Sequence, residues 1–498
     1  MNLVTLKAAQ KPLLLVIDMG TSSLRALLFD GAARAVDGVL ARRTYQAHTT
    51  ADGGAELDPE AMFQAFASAL DEVLALAPGV EIAAVATSSL AASLVGVDEA
   101  GRPLTPLYLY SDTRNAGAVE QLRGRGDWTP IYMRTGCPLH TGYLPARFLW
   151  LNETHRGLVE KAAHWLSLHE FLLLRLFGRS VVSHSLASWT GLMNRMTRTW
   201  DAELLEMVGV RPAQLSPLAA AQASLAGLLP DYATRWPRLA EIPFFPAIGD
   251  GATANVGSGC TDVTALSITI GTSGAMRVAL PADPPPGLPR GLWVYTVDER
   301  RALLGGSLNN GGNVYAYLQR TCQLPEPQAA EQELAPLPPD GHGLTVLPFF
   351  AGERSTGYHG NARAAIVGLS LDSSPIQILQ ATLEAIALRI AAIYQLVQGS
   401  LAPAHAIVAS GSALIHSPAW VQIIAHVLGR PVTISGEAEA SARGAAVLGL
   451  ESLGVIGDLG QFPAAMGATL NPDPAHHEVY LRARERQERL YQLLVENS

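Results

Sequence analysis

The sequence predicts an α/β protein made of two related halves, and three observations carry that expectation. An apolar strand, a Gly-Thr-Ser turn and a second apolar strand occur at residues 13–29 and again at 264–278, one pattern opening each half. Short apolar runs alternate with stretches of helical period through both halves. Near the midpoint a lone carboxylate, Asp250, stands between Gly249 and Gly251 at the end of the apolar run 242–248.

In the first half, Leu13-Leu-Leu-Val-Ile17 reads as a strand ending in Asp18-Met-Gly-Thr-Ser-Ser-Leu-Arg25, and Ala26-Leu-Leu-Phe29 returns beside it. The hydroxyls of Thr21, Ser22 and Ser23 follow Gly20, so the turn gathers donors into a concavity suited to an anion. Asp18, at the strand end, is placed to hold a hydrated Mg²⁺ beside that anion, since magnesium keeps waters and takes one or two carboxylates. An ordinary hairpin turn explains one such sequence; two of them argue for duplication. Residues 59–76 have helical period through Met62, Phe66, Leu70, Val73 and Leu74, and 82–87 reads as a strand. Asp112 and Arg114 follow on a loop near the same sheet end, either as an internal ion pair or as contacts for substrate hydroxyls. Residues 146–153 and 162–177 read as helices. His164 and His169 are five apart, outside the zincin spacing, and read as structural. Four prolines between 212 and 237 imply loops and short helices, and a domain boundary is expected near residue 245, dividing the chain into 1–245 and 246–498.

Asp250 has two readings. It either caps the small-residue segment 251–259, or it is a base held on a strand-fixed loop where glycines let a ligand approach. Beyond it, 264–270 and 275–278 flank the turn Gly271-Thr-Ser-Gly274, and Pro284-Pro-Pro286 reads as a linker-like kink. Gly305-Gly-Ser-Leu-Asn-Asn-Gly-Gly312 leads into a helix at 314–320 whose start offers N–H groups to an anion. The Pro- and acid-rich stretch 326–340 reads as exposed. A strand at 344–350 leads into Ala351-Gly-Glu-Arg-Ser-Thr-Gly-Tyr-His-Gly-Asn-Ala-Arg363, a polar loop able to cover a ligand, and a long helix spans 375–397. The strand 406–412 ends at Gly411, either a plain β–α turn or a point where backbone passes close to a flat base. Ser417-Pro418 opens a helix through Leu428. Residues 437–453 form a small-residue helix whose Ala442-Arg-Gly-Ala-Ala446 suits close packing. The final surface helix is expected at 479–495, and His476-His477-Glu478 reads as no ligand set.

Composition bounds the partners. A net charge of −9 without a basic run argues against nucleic acid and for a small-molecule substrate. No apolar run approaches the roughly 20 residues that span a bilayer, so no membrane is expected. The start of the chain lacks a signal-peptide pattern, and three dispersed cysteines suit a reducing, cytoplasmic setting. With lysine at 7, 11 and 161 alone, phosphate chemistry in the second half rests on backbone N–H groups, arginine or a metal. A Gly-x-x-x-x-Gly-Lys loop and the His-Arg-Asp and Asp-Phe-Gly signatures are absent.

Asp18-Met-Gly-Thr-Ser-Ser, Gly249-Asp-Gly-Ala, Ile270-Gly-Thr-Ser-Gly and Ala409-Ser-Gly-Ser, followed by the Gln422 helix and Arg443-Gly-Ala-Ala446, resemble the FGGY carbohydrate kinases in order and spacing along nearly the whole chain. The resemblance implies two ribonuclease H-like (actin-like ATPase) domains, mixed sheets flanked by helices, with the active site in the cleft between them. It implies ATP and Mg²⁺ as cofactors and Asp250 as the base that deprotonates a substrate hydroxyl. Asp18 and Asp250 then lie near the metal. Thr21, Ser22, Ser23 and Arg25 match the first phosphate hairpin, Gly271 and Thr272 the second, and Gly312, Gly411 and Ser412 line the nucleotide. Ser93, Asp112, Tyr143, Asp250 and Gly251 surround the sugar. The first half is expected to bind mainly sugar and the second mainly nucleotide, and a homodimer is the assembly the resemblance admits. The surroundings of Asp112, His140, Trp189 and Asn309 look most like the gluconate- and xylulose-kinase branches. Ala91-Ala92 departs from the bulky residue and histidine of those branches, and Ala409-Ser-Gly-Ser412 from the usual Gly-Gly start. The rival expectation is an actin-like ATPase serving as a nucleotide-driven binding or sugar-sensing module.

Overall fold

The computed structural model describes residues 3–155, 157–282, 287–401 and 406–496. The expected kink at Pro284-Pro-Pro286 lies outside the described residues. The first sheet contains β1 (Leu3–Val4), β2 (Leu14–Met19), β3 (Ser23–Phe29), β4 (Ala35–Thr44), β5 (Ala84–Ser89) and β6 (Ile248–Gly249) in the order β1-β4-β3-β2-β5-β6. The second contains β7 (Ala265–Ile270), β8 (Gly274–Pro281), β9 (Trp293–Thr296), β10 (Arg301–Leu308), β11 (Ala406–Ser410), β12 (Val432–Ser435) and β13 (Met466–Leu470) in the order β9-β10-β8-β7-β11-β12-β13. Both share one five-strand pattern. β4-β3-β2-β5-β6 and β10-β8-β7-β11-β12 each run through two antiparallel pairings and then two parallel ones. The duplication visible in the two turns is therefore a duplication of topology.

Alternate residues of β2 point to opposite faces, and both faces are covered. Leu15, Ile17 and Met19 pack with Phe63, Phe66 and Leu70 of helix α1 (Pro59–Leu76), which Asp58 caps by accepting from the Glu60 and Ala61 N–H groups. Leu14 and Val16 face a second core instead. There they meet α2 (Asp250–Gly257) and later α6, and that core continues into Trp293, Tyr295 and Leu303 of the second sheet. The second sheet is covered by α4 (Pro375–Gln398) and α5 (Pro418–Leu428), with α3 (Gly312–Thr321) packed beside them. α4 is long and apolar enough to cross a bilayer, but 78% of its most apolar window is buried in this core.

Helices α2 and α6 (Ala440–Ser452) cross at backbone contact. A Cβ on Gly257 would lie 1.7 Å from the Ala440 carbonyl oxygen, and one on Gly444 would lie 1.8 Å from that of Thr253. The small-residue run 442–446 is thus explained by a crossing that glycine alone permits. α6 belongs to the second half of the sequence yet packs on the first sheet, so the halves share a core.

Three expectations need correction. Residues 162–177 are not one helix. His164–Leu166 pairs antiparallel with Val95–Val97, and Ser167 then opens the helix Leu168–Phe177 through a capping box with Glu170. The stretch 326–340 is not simply exposed, because Pro327–Leu334 is a helix burying Ala330 and Leu334. The last helix, α7 (Pro474–Tyr491), starts earlier than expected, at an Asp473 cap.

Candidate active site

Register places the site. Asp18 lies beside Ser88, which lies beside Ile248, and Met19 beside Ser89 and then Gly249, so Asp250 leaves the first sheet at the end where the first hairpin turns. Gly249 is the N-cap and Asp250 the first helical residue; its carboxylate accepts from the adjacent Gly251 N–H at 2.8 Å and from no later N–H of the helix. The capping role is therefore not what this carboxylate does. It remains partly accessible.

The flanking glycines have a steric cause. A Cβ on Gly249 would come within 2.9 Å of Trp189 Nε1, and one on Gly251 within 2.6 Å of Trp189 Cη2 and 3.1 Å of the Arg277 guanidinium. The indole lies against the backbone on both sides of Asp250, and it stacks on Tyr295 at 4.0 Å. Gly251→Ala is expected to push Asp250 from its place and lower kcat by about 10²-fold, since displacements near 1 Å cost that much. Steady-state kinetics, with ADP affinity as the check on folding, measures it.

Burial pushes the Asp250 carboxyl up to about 6; the Arg277 cation restrains the rise and the Asp18 charge adds to it. Asp18 is also raised by burial, against Arg25 and a hydrogen bond with Ser88. Two carboxylates that disfavour each other's ionisation, both oxygen donors, form a set that suits a divalent cation of the magnesium type. A base must be ionised to accept a proton, so kcat/KM for the acceptor is expected to fall about tenfold per pH unit below roughly pH 6 and to level above it. Removing the Arg277 charge is expected to move that limb to higher pH, as a pH–rate profile would record.

On the second sheet, Gly271 and Gly411 leave neighbouring parallel strands side by side. Gly411 has φ +88, and a Cβ there would lie 2.5 Å from the Ile270 carbonyl oxygen, so this close approach requires glycine. Gly271, Thr272, Gly312 and Ser412 line a cleft of about 480 Å³, with Gly411 directly behind Ser412. The Gly312 N–H donates to the Gly271 carbonyl at 2.8 Å, which fixes the start of α3 over the turn. Asn313, Tyr315, Glu331 and His416 also line this cleft and were missed in the sequence. Glu331 came from the stretch read as exposed; it accepts from Ser417 Oγ at 2.7 Å and the Ala419 N–H at 2.6 Å.

Other expected residues fall as follows. Thr21, Ser22 and Ser23 form the accessible turn of the first hairpin. Arg25 does not join them; its guanidinium lies 2.7 Å from Asp18 and also pairs with Glu439, which holds Arg42 at 2.8 Å. Ser93 is buried, its hydroxyl accepts from the Leu168 N–H at 3.1 Å, and it lines the small space beside Ala92. Asp112 is fully buried among Arg114, Arg147 and the Ala55 N–H, which makes it the internal ion pair of the two readings. Tyr143 is buried with its hydroxyl 2.5 Å from that of Tyr295. The space beside Ala92 is about 20 Å³, so no large void replaces the absent histidine. His169 accepts from the Ala247 N–H at 3.3 Å, a structural role. Asp340, His342 and Glu384 also cluster, but Arg486, Tyr480 and Gln380 occupy their oxygens.

Residues 13–257 match the N-terminal domain of the FGGY family of carbohydrate kinases and residues 266–453 match its C-terminal domain. The chain belongs to this family. The gluconokinase of Bacillus subtilis (strain 168) is 27% identical over 474 residues, covering 93% of this chain and 91% of that protein. Ligand-bound xylulose kinase from Lactobacillus acidophilus superposes with a TM-score of 0.88 at 26% identity, over 97% of this chain and 98% of that one. Gluconate kinase from the same species gives 0.87 at 26% identity, with the same coverage. The two mixed sheets with flanking helices are those of the ribonuclease H-like, actin-like ATPase fold of this FGGY kinase.

Proposed function

We propose that this FGGY kinase transfers the γ-phosphate of ATP to a primary hydroxyl of an open-chain sugar acid or ketose, with gluconate and D-xylulose as the leading candidates. The observation that carries the reading is Asp250: a partly accessible carboxylate with its pKa near 6, at the end of the first sheet and against Arg277 of the second. In this reading the substrate oxygen attacks the γ-phosphorus, its proton passes to the Asp250 carboxylate, and the bond to the β–γ bridging oxygen breaks to release ADP. Thr21, Ser22 and Ser23 on one side and Gly271 and Thr272 on the other hold the phosphates through backbone and hydroxyl donors, without a lysine. Gly312, Gly411 and Ser412 hold the nucleoside end in the 480 Å³ cleft. Asp18 and Asp250 are the groups for Mg²⁺, which when bound supplies charge neutralisation at the phosphates. Trp189 and Tyr295 wall the acceptor side and exclude water from it. The division of labour, sugar mainly on 1–245 and nucleotide mainly on 246–498, belongs to the same proposal.

A coupled ADP-release assay over C3–C7 polyols, ketoses and aldonic acids tests it. Turnover that depends on one of these acceptors is the expected result. ATP turnover indifferent to every acceptor would replace the kinase with a nucleotide-driven binding module.

A further inference from the structure

Two arginines lie beyond Asp250 in a state that a protein rarely leaves uncompensated. Arg277 of β8 buries Nε and Nη1 without a hydrogen-bond partner, and Arg354 of the polar loop 351–363 buries Nε in the same way. Among the described residues neither side chain forms a hydrogen bond or ion pair. The fully buried arginines Arg147 and Arg389 are, by contrast, paired with Asp112 and Glu353. Both residues are half-buried, and the buried guanidinium nitrogens have lost water without gaining a hydrogen bond in exchange.

Their placement has a direction. Arg277 touches the position a Cβ would take on Gly251, and so flanks the Asp250 helix. Arg354 is an electrostatic neighbour of Arg277 and disfavours its charge, and Tyr110, whose ring lies under Arg354, is a neighbour of both. Around Arg354 stand Tyr110, with its ring centroid 6.0 Å from the guanidinium carbon, and Tyr358, whose ring meets that of His140 at 5.8 Å. His140 Nδ1 accepts from the Gly142 N–H at 3.0 Å, and the other ring nitrogen donates to the Glu353 backbone carbonyl. Burial and the Arg354 charge keep this imidazole neutral, with its pKa down to about 3. Asp18 thus neighbours Asp250, Asp250 neighbours Arg277, and Arg277 neighbours Arg354, so the charge changes sign past Asp250.

We propose that Arg277 and Arg354 form a carboxylate subsite, which makes the acceptor an open-chain aldonic acid held with its carboxylate at Arg354 and its far primary hydroxyl at Asp250. This rests on the kinase reading of the same site and selects within it. An aldonate carries its anion and its primary hydroxyl at opposite ends of one chain, as the cleft carries cations and base. A neutral ketose would leave the Arg354 guanidinium without an anion. The transferring phosphoryl group is the other source of negative charge, and the test separates the two.

The experiment uses the full chain with D-gluconate and D-glucitol, which differ in carboxylate against hydroxymethyl, and D-xylulose as a neutral ketose. Wild type is expected to favour gluconate by about 100-fold or more in kcat/KM. Arg354→Gln is expected to raise KM for gluconate by about 10–100-fold with kcat little changed, to leave the neutral acceptors unaffected, and to be partly rescued by Arg354→Lys. ADP affinity reports whether each variant is folded, and the wild-type preference stands as a test even where a variant is not. A wild type that prefers xylulose or glucitol overturns the subsite while the kinase reading stands. Equal losses on acid and neutral acceptors, with kcat falling, place the arginines on the phosphoryl group and also overturn it. If no acceptor stimulates ADP release, the kinase reading fails, and calorimetry decides the subsite separately: gluconate binding lost in Arg354→Gln supports it, and no gluconate binding to wild type ends it.

Discussion

Asp250→Asn is expected to lower kcat by about 10²–10⁴-fold while leaving ADP affinity at the wild-type level. Asparagine keeps the shape of the side chain and its contact with the Gly251 N–H but cannot accept the hydroxyl proton. In the proposed reading the two hairpins and the start of α3 hold the phosphates, and the cleft lined by Gly271, Thr272 and Gly312 does not include Asp250. Wild-type turnover would reject Asp250 as the base. The same substitution is expected to stabilise the fold at pH 8. Because burial raises the folded-state pKa from 3.8 to about 6, the favourable protonated state is fully present below about pH 4 and lost as pH rises through about 6. Above that range the ionised carboxylate costs on the order of 1–3 kcal/mol, which asparagine removes. Urea unfolding of both proteins at pH 8 and pH 4 measures this; the gain should appear at pH 8 and vanish at pH 4.

Gly444→Val is expected to cost about 3 kcal/mol or more, with loss of activity alongside. The new Cβ would lie 1.8 Å from the Thr253 carbonyl oxygen and 2.9 Å from the Gly257 nitrogen. Both are backbone atoms of α2 or its neighbourhood, so no rotamer relieves the clash and the helices must separate, the costly end of overpacking. Separation moves the helix that Asp250 opens. Gly117→Ala, in the helix Ala116–Gly124 with nothing within 4 Å of the new Cβ, is the control and is expected to be neutral or slightly stabilising. Comparable loss in both variants would mean that helix propensity, and not the crossing, sets the cost.

What could be read from the sequence was what local pattern encodes. Helix α1 was legible to its end residues because its apolar positions keep the 3.6 period and Asp58-Pro59 marks the start. The paired hairpins were legible because each turn carries its chemistry in consecutive residues. β13 left no trace: it is an edge strand with nearly every residue exposed, so no apolar alternation marks it. The strand His164–Leu166 was absorbed into the following helix because Trp165 and Leu166 continue an apolar run, although Ser167 and Glu170 already spelled the capping box. Asp112 stayed open between two roles since its deciding partner, Arg147, lies 35 positions away. The sharpest omission was the surroundings of Asp250. Trp189, Arg277 and Arg354 come from three distant segments, and the one local sign of the first two was the pair of glycines their bulk demands.

One consequence follows from the core that the two halves share. β6 binds the residue before Asp250 to the first sheet, and α6 clamps the eight-residue helix that Asp250 opens. The carboxylate therefore stands at the seam where the two halves are joined, held from both sides. A mutation that loosened this seam is expected to lower the proton affinity of Asp250, because the burial that raises it is set by the joint itself.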